Sequence, residues 1–306
     1  MLRYVLRRLL LAIPTMLTII TLAFFLIRSV DGGPLDRERQ LPPEIEANLK
    51  KMYHLDEPLP LQYARYLGHI VRGDLGPSFH YVDKDVNQLI GENFPASIEL
   101  GLSALTLALL VGPLLGIIAA RHQNSRTDYS IMAVAMVGIT IPNFVIAPLL
   151  TLLFGVHLHW LPTGGWGEKP SQMVLPVFCL ALPYIAYLAR LMRGSMIEAL
   201  HANPVRTARA KGVPERQVVL RHCLKGALLP VLSAVGPMVA GILTGSVVIE
   251  MIFTLPGLGK YFVSSALHRD YTLVMGVVIF YGFLIILMNL IVDVLYGLLD
   301  PKVRLS

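Results

Sequence analysis

The chain is poor in charge and in cysteine. Only 15% of its 306 residues are Asp, Glu, Lys or Arg, and it holds two Cys. An ordinary soluble domain carries about 25% charged residues. So little charge excludes a disordered chain and argues against a soluble enzyme of this length, while two cysteines exclude a disulfide scaffold. The patterns H-E-x-x-H and G-x-S-x-G are missing, which leaves a membrane-bound hydrolase without its metal site or nucleophile. A phosphate-binding loop is missing too. Gly259-Lys260 is followed by Tyr261, and Thr254 stands where the first glycine belongs.

What the chain has in excess is apolar sequence, 55% of it, in long blocks. A helix crosses the hydrocarbon core with about 20 apolar residues, because each rises ~1.5 Å through ~30 Å. Six stretches without Asp, Glu, Lys or Arg are that long: Leu9–Ile27, Leu100–Ala120, Tyr129–Phe154, Pro170–Ala189, Gly226–Ile249 and Tyr271–Val292. They predict an all-α membrane protein with six transmembrane helices. The first is expected to stay as an anchor, since its 19-residue run exceeds a signal core and Arg28-Ser29-Val30-Asp31 offers no small-residue cleavage site. The chain then divides into an N-terminal tail and first helix (1–28), a long loop (29–99), a five-helix core (100–292) and a C-terminal tail (293–306).

Lys and Arg in short loops set orientation. With the N-terminus inside, cytoplasmic segments hold 15 of the 26 basic residues, eight of them in the loop 190–225. The short outer loops hold Lys169, Lys260 and Arg269; the other eight lie in residues 28–99 beside 12 acids. Both termini are therefore expected in the cytoplasm. The net charge of +6 is a vector across the membrane, and no nucleic-acid partner is expected, because that needs a basic wet face. Cys179 in a span and Cys223 at the cytosolic face argue against a disulfide.

Pro42-Pro43 opens a helical pattern through about His54, and Pro58–Pro60 opens another carrying Tyr63, Leu67, Ile70 and Val71. Asp74–Pro77 reads as a turn. Short helices at the outer membrane face follow, either as a solvated spacer or as a docking surface for an extracytoplasmic partner. In the loop 190–225, Asn203-Pro204 reads as an N-cap followed by proline at the first helical position. Val205 to Lys211 then makes two turns and Gly212 suits the left-handed C′ position. Arg206, Arg209 and Lys211 make this short helix basic, and Ala208 and Ala210 leave room for close approach. It reads either as a projection shaped for a partner's cleft or as a basic loop obeying the charge rule.

No Asp, Glu, Lys or Arg lies within the six spans, so proton or sodium coupling lacks its usual midplane group. Energy must arrive through contact. Thr140, Asn143, Thr244, Ser246, Tyr281 and Asn289 are polar groups within spans, and either line a path or bond between helices. Glu250, at the end of the fifth span, either contacts cargo near an outer gate or caps its turn. Pro14, Pro113, Pro142, Pro148, Pro176, Pro183 and Pro237 interrupt spans, which frees backbone carbonyls. His157 and His159 without a neighbouring Cys or carboxylate make a poor metal site.

Arg206-Thr207-Ala208-Arg209-Ala210-Lys211-Gly212, with His222 and Ala227-Leu228-Leu229-Pro230, resembles the membrane subunits of ATP-binding-cassette importers, in particular the B-type permease of oligopeptide and dipeptide uptake. Leu2–Pro14, Gly73–Ser78, Ile141-Pro142-Asn143-Phe144-Val145, Ile249–Phe253, Leu255–Gly259 and Asn289–Pro301 match as well. The general importer pattern is E-A-A-x3-G-x9-I-x-L-P. This chain keeps Ala208 and Gly212 but has Arg206-Thr207 for Glu-Ala, His222 for Ile, Leu224 for Leu, and no proline until Pro230. The departures resemble the peptide-importer variant, and Arg206 then calls for an acidic or polar partner.

The resemblance implies a fold of the importer permease type, with Asn203, Arg206, Thr207, Ala208, Arg209, Ala210, Lys211 and Gly212 in a coupling helix that docks into an ATPase. It implies a non-catalytic subunit of the bacterial inner membrane in contact with membrane lipid. No cofactor binds this chain; ATP and Mg act on the ATPase subunits. The expected partners are a second, homologous permease subunit, one or two ATPase subunits and a periplasmic peptide-binding protein, with the path between the permeases. Leu41-Pro42-Pro43-Glu44 and Tyr53-His54-Leu55 favour oligopeptides; glutathione and nickel importers share the permease type. A self-contained channel or facilitator is the competing class.

Overall fold

A computed structural model describes residues 2–29, 54–81 and 83–299. The helix expected from Pro42-Pro43 and the C-terminal residues beyond 299 lie outside them. Among the described residues the chain is helical, with one isolated antiparallel bridge, Pro77 to Asp85. The described residues form α1 (Leu2–Ser29), α2 (Leu59–Val71), α3 (Val86–Arg121), α4 (Arg126–Thr140), α5 (Asn143–Leu150), α6 (Val174–His201), α7 (Asn203–Ala210), α8 (Leu224–Ile252), α9 (Leu258–Leu267) and α10 (Tyr271–Leu299). A π-turn, Thr151–His157, extends α5, and a 3-10 turn, Pro170–Met173, leads into α6. A three-residue helical turn, Glu215–Gln217, and a π-turn, Val218–Cys223, lead into α8.

Five stretches are single helices long and apolar enough to cross a membrane: Leu6–Ser29, Val86–Arg121, Pro170–His201, Glu215–Leu243 and Tyr271–Val292. The sixth expected span, Tyr129–Phe154, is broken. Arg126–Thr140 and Asn143–His157 meet at 107°. Ile141, held extended by the ring of Pro142 (φ −88°, ψ 121°), and Pro142 itself (φ −60°, ψ 145°) make the break. Pro14, Pro148, Pro183, Pro230 and Pro237 sit inside helices that continue past them.

The long loop ends earlier than expected. α3 begins at Val86, so its first four turns precede the apolar run that starts at Leu100. α2 forms where Pro58–Pro60 predicts it, with a proline in its first turn where the missing N–H costs nothing.

The chain forms two units. The first comprises Met1–Val5, Ala96–Pro256 and Leu287–Ser306. Here α6 is the central helix, packed between α4 and α8. α3 joins it closely at Gly112 and Gly116, whose spacing lets one helix backbone rest on another. A Cβ on Gly116 would lie 2.5 Å from the Ala189 carbonyl oxygen, and one on Gly112 would lie 2.7 Å from Leu188 Cβ. The core here is built of Leu180, Leu188, Met192 and Met196 of α6, with Leu100 of α3 and Ile249 and Phe253 at the end of α8.

The second unit comprises Leu6–Pro95 and Gly257–Ile286. Buried Phe24 of α1 meets Tyr63 and Tyr66 of α2, with ring centroids 5.2 and 5.9 Å away. Thr21 and Tyr63 share a hydroxyl hydrogen bond of 2.6 Å. Buried Asp270 caps α10 by accepting from Leu273 N (3.1 Å), and also accepts from Ser78 Oγ (2.5 Å). That carboxylate ties the loop after α2 to the start of α10.

Candidate functional site

The basic helix is α7, and it projects between α6 and α8. Ala202, in extended conformation, occupies the N-cap, one residue before the expected Asn203. Asn203 opens the helix and Pro204 follows in the first turn. Asn203 is helical although it precedes Pro204, and the first helical bonds are accepted by Ala202 C=O, from Val205 N (3.1 Å) and Arg206 N (3.2 Å), which makes Ala202 the cap. Pro204 in the first turn lacks an N–H that would have no partner there. No side chain caps this end.

The other end is closed as expected. Gly212 has φ +74°, its N–H donates to Arg209 C=O (2.9 Å), and Val213 N–H donates to Ala208 C=O (3.2 Å). This is the paired closure of a Schellman motif, with glycine at the left-handed position and Val213 packed against the core.

Val205 and Ala208, three residues apart and so on one face, are buried at 1% and 5% exposure. Ala208 therefore seats α7 on its own chain and is not open to a partner. Asn203, Arg206, Thr207, Ala210, Lys211 and Gly212 are exposed on the remaining surface. Thr207 Oγ1 donates back to Asn203 C=O (3.1 Å).

Arg209 is also exposed, yet it is committed within the chain. Its Nε and Nη2 donate to the two carboxylate oxygens of Glu215 at 3.1 and 2.7 Å, and Nη1 reaches Leu200 C=O at 3.4 Å. The hydrogen bonds to Glu215 raise the guanidinium pKa above its ordinary value. Arg209 thus latches α7 to the segment entering α8. The cationic side chains this helix presents outward are Arg206 and Lys211.

A second ion pair holds the base of α6. Asp128, 1% exposed in the first turn of α4, accepts from Arg193 Nε (2.6 Å) and Nη2 (2.7 Å) of α6. The same carboxylate accepts from Asn124 N (2.9 Å), so it fixes the turn before α4 as well. The apolar runs do not reveal this pair, or Glu215. The available signal was that Asp128 is an acid at the mouth of a span whose surroundings are basic.

The polar span residues do not converge on one point in the first unit. Exposed Thr140 and half-buried Asn143 flank the break between α4 and α5. Ser246 is buried and its hydroxyl donates to Leu243 C=O (2.9 Å) in its own helix. The structure describes the backbone at Thr244 but not its side chain. Asn289 is exposed on α10, its Oδ1 3.4 Å from where a Cβ on Gly236 would stand. Gly236 lies ten residues before Ser246 on α8, about 15 Å along the axis.

Glu250 is fully buried, and its backbone carbonyl accepts from Leu255 N (2.8 Å) in the closure of α8. Thr254 takes the left-handed position there, φ +56°, a strained conformation for a β-branched residue. Gly165 N–H donates to Phe253 C=O (3.2 Å), which lays the loop before α6 over this end. Tyr281 belongs to the second unit and is buried on α10. Cys179 and Cys223 are buried free thiols.

Two family descriptions cover almost the whole chain: the binding-protein-dependent transport system inner membrane component matches residues 112–305, and the N-terminal region of such a membrane component matches residues 1–101. The chain belongs to this family of transport-system membrane components.

Among particular relatives, it is 53% identical over 305 residues to the oligopeptide transport system permease protein OppB of Escherichia coli K12, covering 99% of this chain and all of that one. It is 44% identical over 305 residues to the dipeptide transport system permease protein DppB of Bacillus subtilis 168, covering the whole of this chain and 99% of that one. A chain from inward-facing structures of the MetNI methionine ABC transporter superposes with a TM-score of 0.59 at 14% identity, over 69% of this chain and 96% of that one. That likeness speaks for the fold.

Proposed function

We propose that the chain is the transmembrane permease subunit of an ATP-driven importer of short peptides. Full-length similarity to oligopeptide and dipeptide permeases carries this reading. The architecture supports it, because a chain with no phosphate loop and no acid or base in its membrane core needs energy delivered by a partner. α7 offers the contact. Its Val205 and Ala208 face is anchored in the core, while Arg206, Ala210 and Lys211 stand outward. A rigid, exposed, small-residue helix transmits displacement to α6 and α8, on which it is mounted.

In this reading Asn203, Arg206, Thr207, Ala210 and Lys211 meet an ATPase subunit carrying acidic or polar groups. Ala208, Arg209 and Gly212 hold the helix in shape. ATP and Mg act on that ATPase, and this chain is non-catalytic. A second, homologous permease completes the path, and an extracytoplasmic peptide-binding protein delivers cargo. Thr140, Asn143, Thr244, Ser246, Glu250, Tyr281 and Asn289 are the candidate path residues. The eight basic residues of the loop 190–225 favour a cytoplasmic side for it, which puts both termini in the cytoplasm of a bacterial inner membrane in this reading.

The test is uptake of a labelled tripeptide into proteoliposomes that hold the chain with its partner permease, ATPases and binding protein. Accumulation should require ATP inside the compartment holding the ATPases, and should disappear with an ATPase that binds but cannot hydrolyse ATP. Equal uptake by the two permeases alone would establish the facilitator reading instead.

A further inference from the structure

At the end of α1 the second unit contains a cavity of about 490 Å³, walled by α1, α2, the loop after α2 and the start of α10. That volume suits a small polar headgroup. The cavity's charges are unevenly balanced. Arg65 is paired with Glu57 at 2.6 Å, and His69 with Asp74 at 2.8 Å. Arg28 has no carboxylate partner among the described residues. Its guanidinium lies 3.7 Å from the centre of the Phe24 ring, donates to the neutral amide of Gln62 (3.2 Å) and approaches Met275 Sδ (3.7 Å). A half-buried cation held by a ring, an amide and a thioether is solvated poorly and still carries its full charge.

A second group points the same way. Tyr66 also packs on Phe24, with centroids 5.9 Å apart, and lines the same cavity as Arg28. Its hydroxyl is shielded from solvent and has no hydrogen-bond partner among the described residues. Burial raises the phenol's pKa, so it remains a donor. Among the described residues, a guanidinium without a carboxylate partner and a hydroxyl without an acceptor thus line one cavity, which makes an anion site with directional donors.

The position selects the anion. Arg28 ends a membrane-crossing helix, at the depth where basic and aromatic side chains meet lipid headgroups. Below it Leu22, Phe25 and Leu26 expose an apolar stripe. We propose that this cavity binds the phosphate of an anionic phospholipid through Arg28 and Tyr66, with the acyl chains lying along α1. The chain's orientation, proposed above, decides only which leaflet supplies the lipid.

The complete transporter, stripped of lipid in detergent, is incubated with phosphatidylglycerol, with phosphatidylcholine, or with inorganic phosphate, and the retained ligand is counted by native mass spectrometry. Phosphatidylglycerol should be retained over phosphatidylcholine, and inorganic phosphate should not displace it. Arg28→Gln should weaken phosphatidylglycerol retention about tenfold, the loss expected for one hydrogen bond to a charged group. Arg28→Lys should retain part of it, and Tyr66→Phe, which leaves the ring packing intact, should weaken it severalfold. Lys169→Gln, in the loop before α6, should change nothing.

Equal retention of the two lipids, or Arg28→Gln and Tyr66→Phe both binding as wild type, would overturn the site. Binding of inorganic phosphate alone with the same Arg28 dependence would show an anion site that does not take lipid. Vesicles with phosphatidylglycerol confined to one leaflet separate the two questions. A reversed orientation changes the leaflet that serves and leaves the Arg28 dependence in place.

Discussion

Replacing Gly116 with alanine puts one methyl 2.5 Å from the Ala189 carbonyl oxygen, 2.7 Å from Met192 Cβ and 2.9 Å from Arg193 N. Two of those three atoms are backbone, so no side chain can swing away. Carbon contacts settle near about 3.5 Å, so α3 and α6 must part locally by about 1 Å. The parting reaches Gly112, one turn earlier, whose Cβ position is already 2.7 Å from Leu188 Cβ. Overpacking of this kind costs about 1–3 kcal/mol. In lipid no hydrophobic term restores the contact, since acyl chains are as apolar as leucine. Two backbone contacts under 3 Å put this site at the upper end of that range, about 3 kcal/mol, and helix propensity returns about 1 kcal/mol for Gly→Ala, which leaves a net loss of about 2 kcal/mol.

The assay can use the chain's own buried thiols. Cys179 and Cys223 are free and buried, so in a complex whose other cysteines are replaced, a thiol-reactive dye reports unfolding on heating. The midpoint for Gly116→Ala should fall by about 4 °C. Gly194→Ala on α6 is the control: nothing lies within 4 Å of its Cβ position, so its midpoint should hold or rise. A Gly116→Ala protein that melts with wild type, or two variants that fall equally, would refute the close approach of α3 and α6.

Arg209→Glu should barely change the melting midpoint, because an exposed ion pair contributes about 0.2–1 kcal/mol, yet it should reduce peptide uptake per ATP hydrolysed. The double swap Arg209→Glu with Glu215→Arg should restore that ratio; a swap as defective as the single variant would mean Arg209 serves a partner directly. Asp128→Asn should cost about 3 kcal/mol by leaving Arg193 unpaired over the base of α6, read as a lower midpoint in the same thiol assay. Gly212→Ala meets no neighbouring atom but must hold φ +74°; it should cost about 1–2 kcal/mol and lower ATP coupling, while Lys211→Ala leaves the midpoint unchanged.

The spans were legible because hydrocarbon demands uninterrupted apolar length, and five of the six emerge as single helices. The start of α3 was not, because Glu92 and Glu99 end the apolar run while the backbone continues helically from Val86. Composition marks membrane depth, whereas the helix obeys backbone hydrogen bonding. The break before Asn143 was signalled by Pro142, but equally by prolines such as Pro183 that the chain carries inside α6. Whether a proline kinks or breaks depends on the neighbours that receive the freed carbonyls.

In α7 the local signals served well at Gly212, where chirality leaves glycine as the cheap choice. They misplaced the cap by one residue at Asn203. The Arg209–Glu215 latch spans six positions across a turn, and Asp128–Arg193 spans 65. Neither fits a helical repeat, so only three dimensions bring them together.

The π-turn Val218–Cys223 lies between the latch and α8. Each residue of a regular helix rotates the next by about 100°, so one added residue would normally turn every following side chain to a new bearing. A wide turn takes up such a residue locally. Removing one residue from 218–223 should therefore tighten the turn into ordinary helix while α8 keeps its seat on α6. The same deletion at Leu232 should swing the stretch behind it, Ser246 and Glu250 included, by a quarter-turn or more. The segment proposed to receive motion from α7 is thus also the place where this chain should tolerate a change of length.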